Sequence, residues 1–198
     1  MIEIPEGLVA SQSEFNGAAG RSFIAGLPGL AGRFLEEWGL RRDGPALFGM
    51  CALVLPVVRV SDGRRAALKL QAVDEETVGE PVALKVWGEA GAGVVGLLAH
   101  DAATGVMLLE RLDERRPLTG VADARVAVRV LAESLARLVA VPAPEGMRRL
   151  GDVAALMLEE APRAVGALAD EGERRLLLDC APTALGASSS ISAATSPS

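Results

Sequence analysis

A lysine at position 69 stands inside AALKL, an apolar run of the kind that forms a strand. Only two lysines, Lys69 and Lys85, occur among the 20 basic residues of this chain; all the others are arginine. Side chains alternate along a strand, so Ala67, Lys69 and Gln71 share one face of AALKLQ and Ala66, Leu68 and Leu70 the other. A small residue two positions before a lysine suits a nucleotide site on a sheet. The alanine leaves room for a flat base, and the ammonium reaches phosphates as a point charge. Such a lysine needs a carboxylate to hold it, and the following segment offers Glu75, Glu76 and Glu80. Glu80 is the preferred partner because an apolar helical stretch begins directly after it at Pro81; Glu76 is second. The plainer alternative is a lysine snorkelling from an edge strand, since A-x-K is a common tripeptide.

The rest of a phosphate site is thin. FGMCALVLP has one glycine, Gly49, and no G-x-G-x-x-G, although backbone amides of residues 49–53 could cap phosphates. The single histidine, His100, is followed by Asp101 in a turn and reads as a solvated pair. Asp170-Glu171-Gly172 imitates a metal motif but lies between helical stretches and reads as a helix break. Asp152 and Asp179 have neither histidine nor asparagine beside them. Two distant cysteines, Cys51 and Cys180, and one histidine cannot assemble a zinc site, so no metal site is expected.

These residues need elements to carry them. Residues 20–40, GRSFIAGLPGLAGRFLEEWGL, read as one or two short helices with Leu30, Phe34, Leu35 and Trp38 at helical spacing and Gly39 as the stop. ALVLPVVRV and RRAALKLQ flank Ser61-Asp62-Gly63 as a hairpin. DEETVGEPVALKVW reads as a helix with an acidic start, and VVGLLAH and VMLLERL form a second hairpin around residues 101–105. From Asp123 onward the pattern is helical, with Val126, Val130, Leu131, Leu135 and Leu138 on one face. Strands followed by a run of helices indicate an α+β fold, broken near LDERRP. The expected division is residues 1–112, a partial helical region 113–180, and a tail 181–198 that is uncharged, holds six serines and reads as disordered or frameshifted.

Composition sets the outer bounds. The chain has 198 residues, half of them apolar, enough for a real core. Its Ala, Gly, Arg and Leu bias suggests a GC-rich bacterial genome. A net charge of −6 argues against a nucleic-acid partner. The acidic N-terminus is no secretory signal, the longest apolar stretch (residues 44–58) is too short to span a bilayer, and the cysteines read as reduced thiols. The chain reads as cytoplasmic, without membrane association; its oligomeric state is unknown.

IPEGL, GRSFIAGLPGLAGRFLEEWGL, LVLPVVR, AALKL, GEPVALKVW, VVGLLAHDAATGVMLLERL and LGDVAALMLEEAP, in order from about residue 3 to 180, resemble the aminoglycoside/hydroxyurea antibiotic resistance kinases. That family includes the streptomycin 6-kinase type and has the protein-kinase-like fold. The resemblance implies a kinase-like N-lobe, an antiparallel sheet plus helix, followed by the first helices of an incomplete helical C-lobe. It places Ala67 at the adenine wall, Lys69 at the phosphates and Glu80 in the ion pair. It also implies that MLLERL, residues 107–112, is the hinge whose backbone meets adenine, with Glu110 and Leu112 as cofactor-binding positions. The implied cofactors are ATP and Mg²⁺, and the implied partner is a small-molecule antibiotic accepting the γ-phosphoryl on a hydroxyl. The family's H-x-D-x-x-x-x-N catalytic loop is absent, because His100 and the one asparagine, Asn16, both precede the hinge. The expectation is a truncated, inactive phosphotransferase; the alternative is a non-catalytic pseudokinase or nucleotide-binding remnant.

Overall fold

A Pro5-Glu6 start opens the first helix, with proline just outside it and an acid in the first turn, where the helix dipole favours negative charge. The computed structural model describes residues 2–75 and 77–177. Helix α1 (Glu6–Glu37) is kinked at Gly17, whose φ of 52° and ψ of −122° are accessible to glycine alone at little cost. Beyond the kink, Leu27, Ala31 and Phe34 recur every three to four residues and are fully buried. Trp38 N–H donates to Phe34 O and Gly39 N–H to Glu36 O, both at 3.1 Å, and Gly39 then turns the chain with φ 58°.

The helix therefore begins fourteen residues earlier than the expected start at Gly20. Its N-terminal arm shows little periodicity, but it contributes Leu8 to the core. It also buries Gln12, whose Oε1 accepts from Asn16 Nδ2 at 3.0 Å. Leu40, assigned to the helix by the sequence, instead opens a strand.

A six-stranded antiparallel sheet follows in the order β1-β3-β4-β6-β5, with β2 also paired to β3. Its strands are β1 (Leu40–Arg42), β2 (Leu47–Phe48), β3 (Ala52–Arg59), β4 (Arg65–Gln71), β5 (Leu97–Asp101) and β6 (Val106–Glu110). Both expected hairpins form. Gly63 (φ 71°) donates to Arg59 O at 2.9 Å to close the β3–β4 turn. Asp101 Oδ1 accepts from Thr104 N (2.8 Å) and Oγ1 (2.6 Å) to close the β5–β6 turn. The short β1 and β2 carry too few residues for a readable alternation. Pro56 sits inside β3 opposite the gap between them. Its carbonyl accepts from Asp43 N at 2.8 Å, so the missing N–H faces that gap rather than β4.

The pleat sorts the sheet into two faces. Leu53, Leu55 and Val57 of β3 lie in register with Leu70, Leu68 and Ala66 of β4, and Leu108 of β6 lies beside Leu68. Together with Leu8, Leu27, Ala31 and Phe34 of α1 they make one core cluster. The other face carries Val54, Lys69 and Met107 in one row and Pro56, Ala67 and Leu109 in the next.

Helix α2 (Glu80–Glu89) starts with Glu80 and Pro81, and α3 (Ala124–Val139) is capped by Asp123, whose side chain accepts from Arg125 N at 2.9 Å. Trp87 Nε1 of α2 donates to Leu138 O of α3 at 3.1 Å, tying the two helices together. Two compact units divide the chain, one ending at Pro144 and one beginning at Glu145. The second contains α4 (Leu150–Ala167), where Arg149 N donates to Asp152 Oδ2 at 3.3 Å. The tail 181–198 lies outside the described residues, as do Glu76, Asp179 and Cys180. Among the described residues no helix is long and apolar enough to cross a membrane.

Candidate functional site

Strand β4 sets the site through its alternation. Ala66, Leu68 and Leu70 are held in the core, so Ala67, Lys69 and Gln71 must emerge on the opposite face. Lys69 is flanked in the sheet by Val54 and Met107, and Ala67 by Pro56 and Leu109, which give the lysine an apolar floor. Met107 is fully buried, and Leu109 nearly so.

The carboxylate comes from α2. Lys69 Nζ donates to Glu80 Oε1, and the two side chains remain only 19% and 29% exposed. Gln71 Nε2 donates to the other oxygen, Oε2, at 2.7 Å. Glu80 lies in the first turn of α2, where the dipole also favours its charge. Glu75, also considered as the partner, is exposed in the loop before α2, and Glu76 lies outside the described residues. Sequence reasoning put Gln71 on the lysine's face without giving it work; its position two residues after Lys69 was the available signal.

The other candidate positions flank this centre at opposite ends of β4. Ala52 pairs with Gln71, so the β2–β3 turn containing Gly49 lies beyond the Gln71 end. Gly49 is exposed, and its N–H donates to Ala52 O at 3.1 Å to close that turn. Glu110 pairs with Ala66 at the other end. Its N–H donates to Gly96 O at 2.8 Å and its carboxylate accepts from Gly96 N at 3.1 Å, which fixes the last residue of β6. Leu112 follows, 61% exposed.

Between them stands Arg111, a residue the sequence reading passed over. Its side chain is 8% exposed and grips Glu114 through Nε (3.1 Å) and Nη2 (2.7 Å). The contact raises the Arg111 pKa and lowers that of Glu114 to about 2. Arg111 Nη1 is buried without a hydrogen-bond partner.

Two of the other acids singled out in the sequence are engaged in local turns. Asp101 is held below the usual carboxylate range mainly by the Thr104 hydroxyl, and Asp170 Oδ1 accepts from Glu173 N at 2.8 Å, capping the next helical turn. Among the described residues no group of three or more His, Cys, Asp or Glu side chains could hold a metal ion. An open groove of about 640 Å³ between α2 and β5, reached by Lys85 and His100, does not include Lys69. The arrangement sets one cation, Lys69, and one neutral amide donor, Gln71, on a single carboxylate beside the small side chain of Ala67.

Residues 37–186 match the family model for aminoglycoside/hydroxyurea antibiotic resistance kinases. A hydroxyurea phosphotransferase of Kitasatospora aureofaciens is 59% identical over 183 residues, covering 91% of this chain and 53% of that protein. A streptomycin 6-kinase of Streptomyces glaucescens is 52% identical over 181 residues, 91% of this chain and 58% of its own length. One from Streptomyces griseus is 49% identical over 176 residues, with 89% and 56% covered. The chain spans about half the length of the curated relatives it matches.

Proposed function

Because the chain belongs to the aminoglycoside/hydroxyurea antibiotic resistance kinase family, we propose that residues 1–112 are the nucleotide-binding lobe of a cytoplasmic phosphotransferase. Its reaction moves the γ-phosphoryl of ATP to a hydroxyl of a streptomycin-like aminoglycoside or of hydroxyurea, conferring resistance. The names of the relatives support this acceptor class. The observation that carries the reading is the Lys69–Glu80 pair on the face of the sheet opposite the α1 core.

In this reading Lys69 holds the nucleotide phosphates, Ala67 leaves space for adenine, and the backbone of Glu110 and Leu112 meets the base edge. The turn at Gly49 lies over the phosphates; with the Gly49 N–H already used, the donors there are the amides that follow it. ATP supplies the phosphoryl group when bound, and these side chains orient it. The Mg²⁺ of the family finds no cluster of ligands among the described residues.

Residues 1–198 by themselves bind nucleotide without transferring phosphate, because they contain no H-x-D-x-x-x-x-N sequence. Positioning and electrostatic stabilisation supply nearly all of the acceleration in this chemistry. Losing the residues that orient the acceptor and hold the metal costs at least on the order of 10⁴-fold. ATP titration of the 198-residue chain by calorimetry tests the first part, with Lys69→Ala as control. A radiolabelled transfer assay on streptomycin and hydroxyurea tests the second. Binding unaffected by Lys69→Ala overturns the site, and turnover by the wild-type chain overturns the stated inactivity.

A further inference from the structure

We infer that Gln71 is a positioning residue that sets the orientation of Lys69 by holding the second oxygen of Glu80. The inference rests on the nucleotide reading above and adds to it a residue that no part of that reading required.

Gln71 is 2% exposed, one of only two buried polar or charged residues among those described. A buried amide on a strand costs free energy unless it is hydrogen-bonded, so its place needs a reason. Gln71 Nε2 reaches Glu80 Oε2 at 2.7 Å, while Lys69 Nζ occupies Oε1. Each carboxylate oxygen thus has its own donor, and both donors project from the same face of β4, two residues apart.

A carboxylate gripped through one oxygen can rotate about its last bonds, and a lysine bonded to it follows. Gripped through both, it has one orientation. The amide is neutral, so it fixes Glu80 without competing for the charge that Lys69 balances; an arginine or lysine at position 71 would do so. The device is also anchored on the helix side. Glu80 is the first residue of α2, and Trp87, two turns on, is hydrogen-bonded to the backbone of α3 at 3.1 Å. Gln71 therefore fixes the end of α2 nearest the lysine.

The test is a double-mutant cycle on the full 198-residue chain, with Gln71→Met, Glu80→Ala and the double variant. Two quantities are read: the ATP dissociation constant, and the urea midpoint without nucleotide. Gln71→Met keeps the side-chain length and removes the donor, and is expected to weaken ATP binding about fivefold. In the Glu80→Ala background it should add nothing. Gln71→Asn, whose amide sits on a shorter arm, should weaken binding as Gln71→Met does, and serves if the methionine variant does not fold. If Gln71→Met lowers the urea midpoint equally in both backgrounds and leaves ATP affinity unchanged, Gln71 is only a core residue and the inference fails. If wild-type protein binds no ATP, the nucleotide reading fails instead. The urea cycle then decides the Gln71–Glu80 coupling alone: non-additivity upholds it and additivity overturns it.

Discussion

Strand β4 has two faces made from alternate residues, and they are used in opposite ways. Ala66, Leu68 and Leu70 are 0–2% exposed beneath α1, in a cluster of apolar side chains from the helix and four strands. Ala67 and Lys69 are half-buried on the other face, beside Glu80 and the buried Gln71. The first face contributes stability through area removed from water and close packing. The second contributes little stability, since a partly exposed ion pair gains little beyond its solvation, and it keeps a charge partly exposed to solvent. The first face positions the second: with the leucines pinned, the lysine has no choice of side.

The contrast is sharpest at adjacent residues. Leu68→Ala, or Phe34→Ala in the helix that covers it, should cost about 3–5 kcal/mol in chemical denaturation. Lys69→Ala should cost about 1 kcal/mol or less while lowering ATP affinity about tenfold or more, as removal of a phosphate-binding charge does. If Lys69→Ala proved as destabilising as Leu68→Ala, the second face would be a structural face after all.

A smaller effect belongs to the connection between the covering helix and the sheet. Gly39 at φ 58° turns α1 into β1, and Gly39→Ala should cost about 1 kcal/mol through left-handed strain alone. Nothing lies within 4 Å of the added methyl, so crowding adds nothing. A loss above about 3 kcal/mol in a denaturation curve would mean that the turn does more than reverse the chain.

The smallest effect is at the Ala66 end of β4 and depends on pH. Glu114 is lowered from 4.5 to about 2 by Arg111, and Asp62 from 3.8 to about 2 by Arg59. A carboxylate lowered on folding stabilises above its unfolded pKa, and that stabilisation is lost as pH falls through the folded value. Melting temperature should therefore decline between about pH 4.5 and 2, and Arg111→Met should flatten part of that decline. An unchanged acid limb in Arg111→Met would remove the Arg111–Glu114 contact from the account.

Much of this arrangement was legible beforehand. Both hairpins, the sorting of β4 into faces and the partner Glu80 follow from period-two alternation, turn residues and the start of an apolar helix. The N-terminal arm of α1 was not legible, because its helicity depends on Leu8 finding the core rather than on its own pattern. Strands β1 and β2, three and two residues long, show no alternation that could be read without their partner β3. The stripe on α3 was read correctly as a face, yet Val126, Val130, Leu131 and Leu135 are 43–59% exposed. Periodicity identifies an apolar side without saying what covers it.

By itself the sequence determined which residues share a side of each element, since side-chain direction follows from backbone geometry within a few residues. It therefore determined that Lys69 and Gln71 face the same way. Only the tertiary structure decided that both donate to one carboxylate, because Glu80 reaches them across a chain reversal and through the start of α2. That meeting depends on where β4 and the helix settle against each other. It is fixed by packing over the whole sheet rather than by any local preference of residues 69–80.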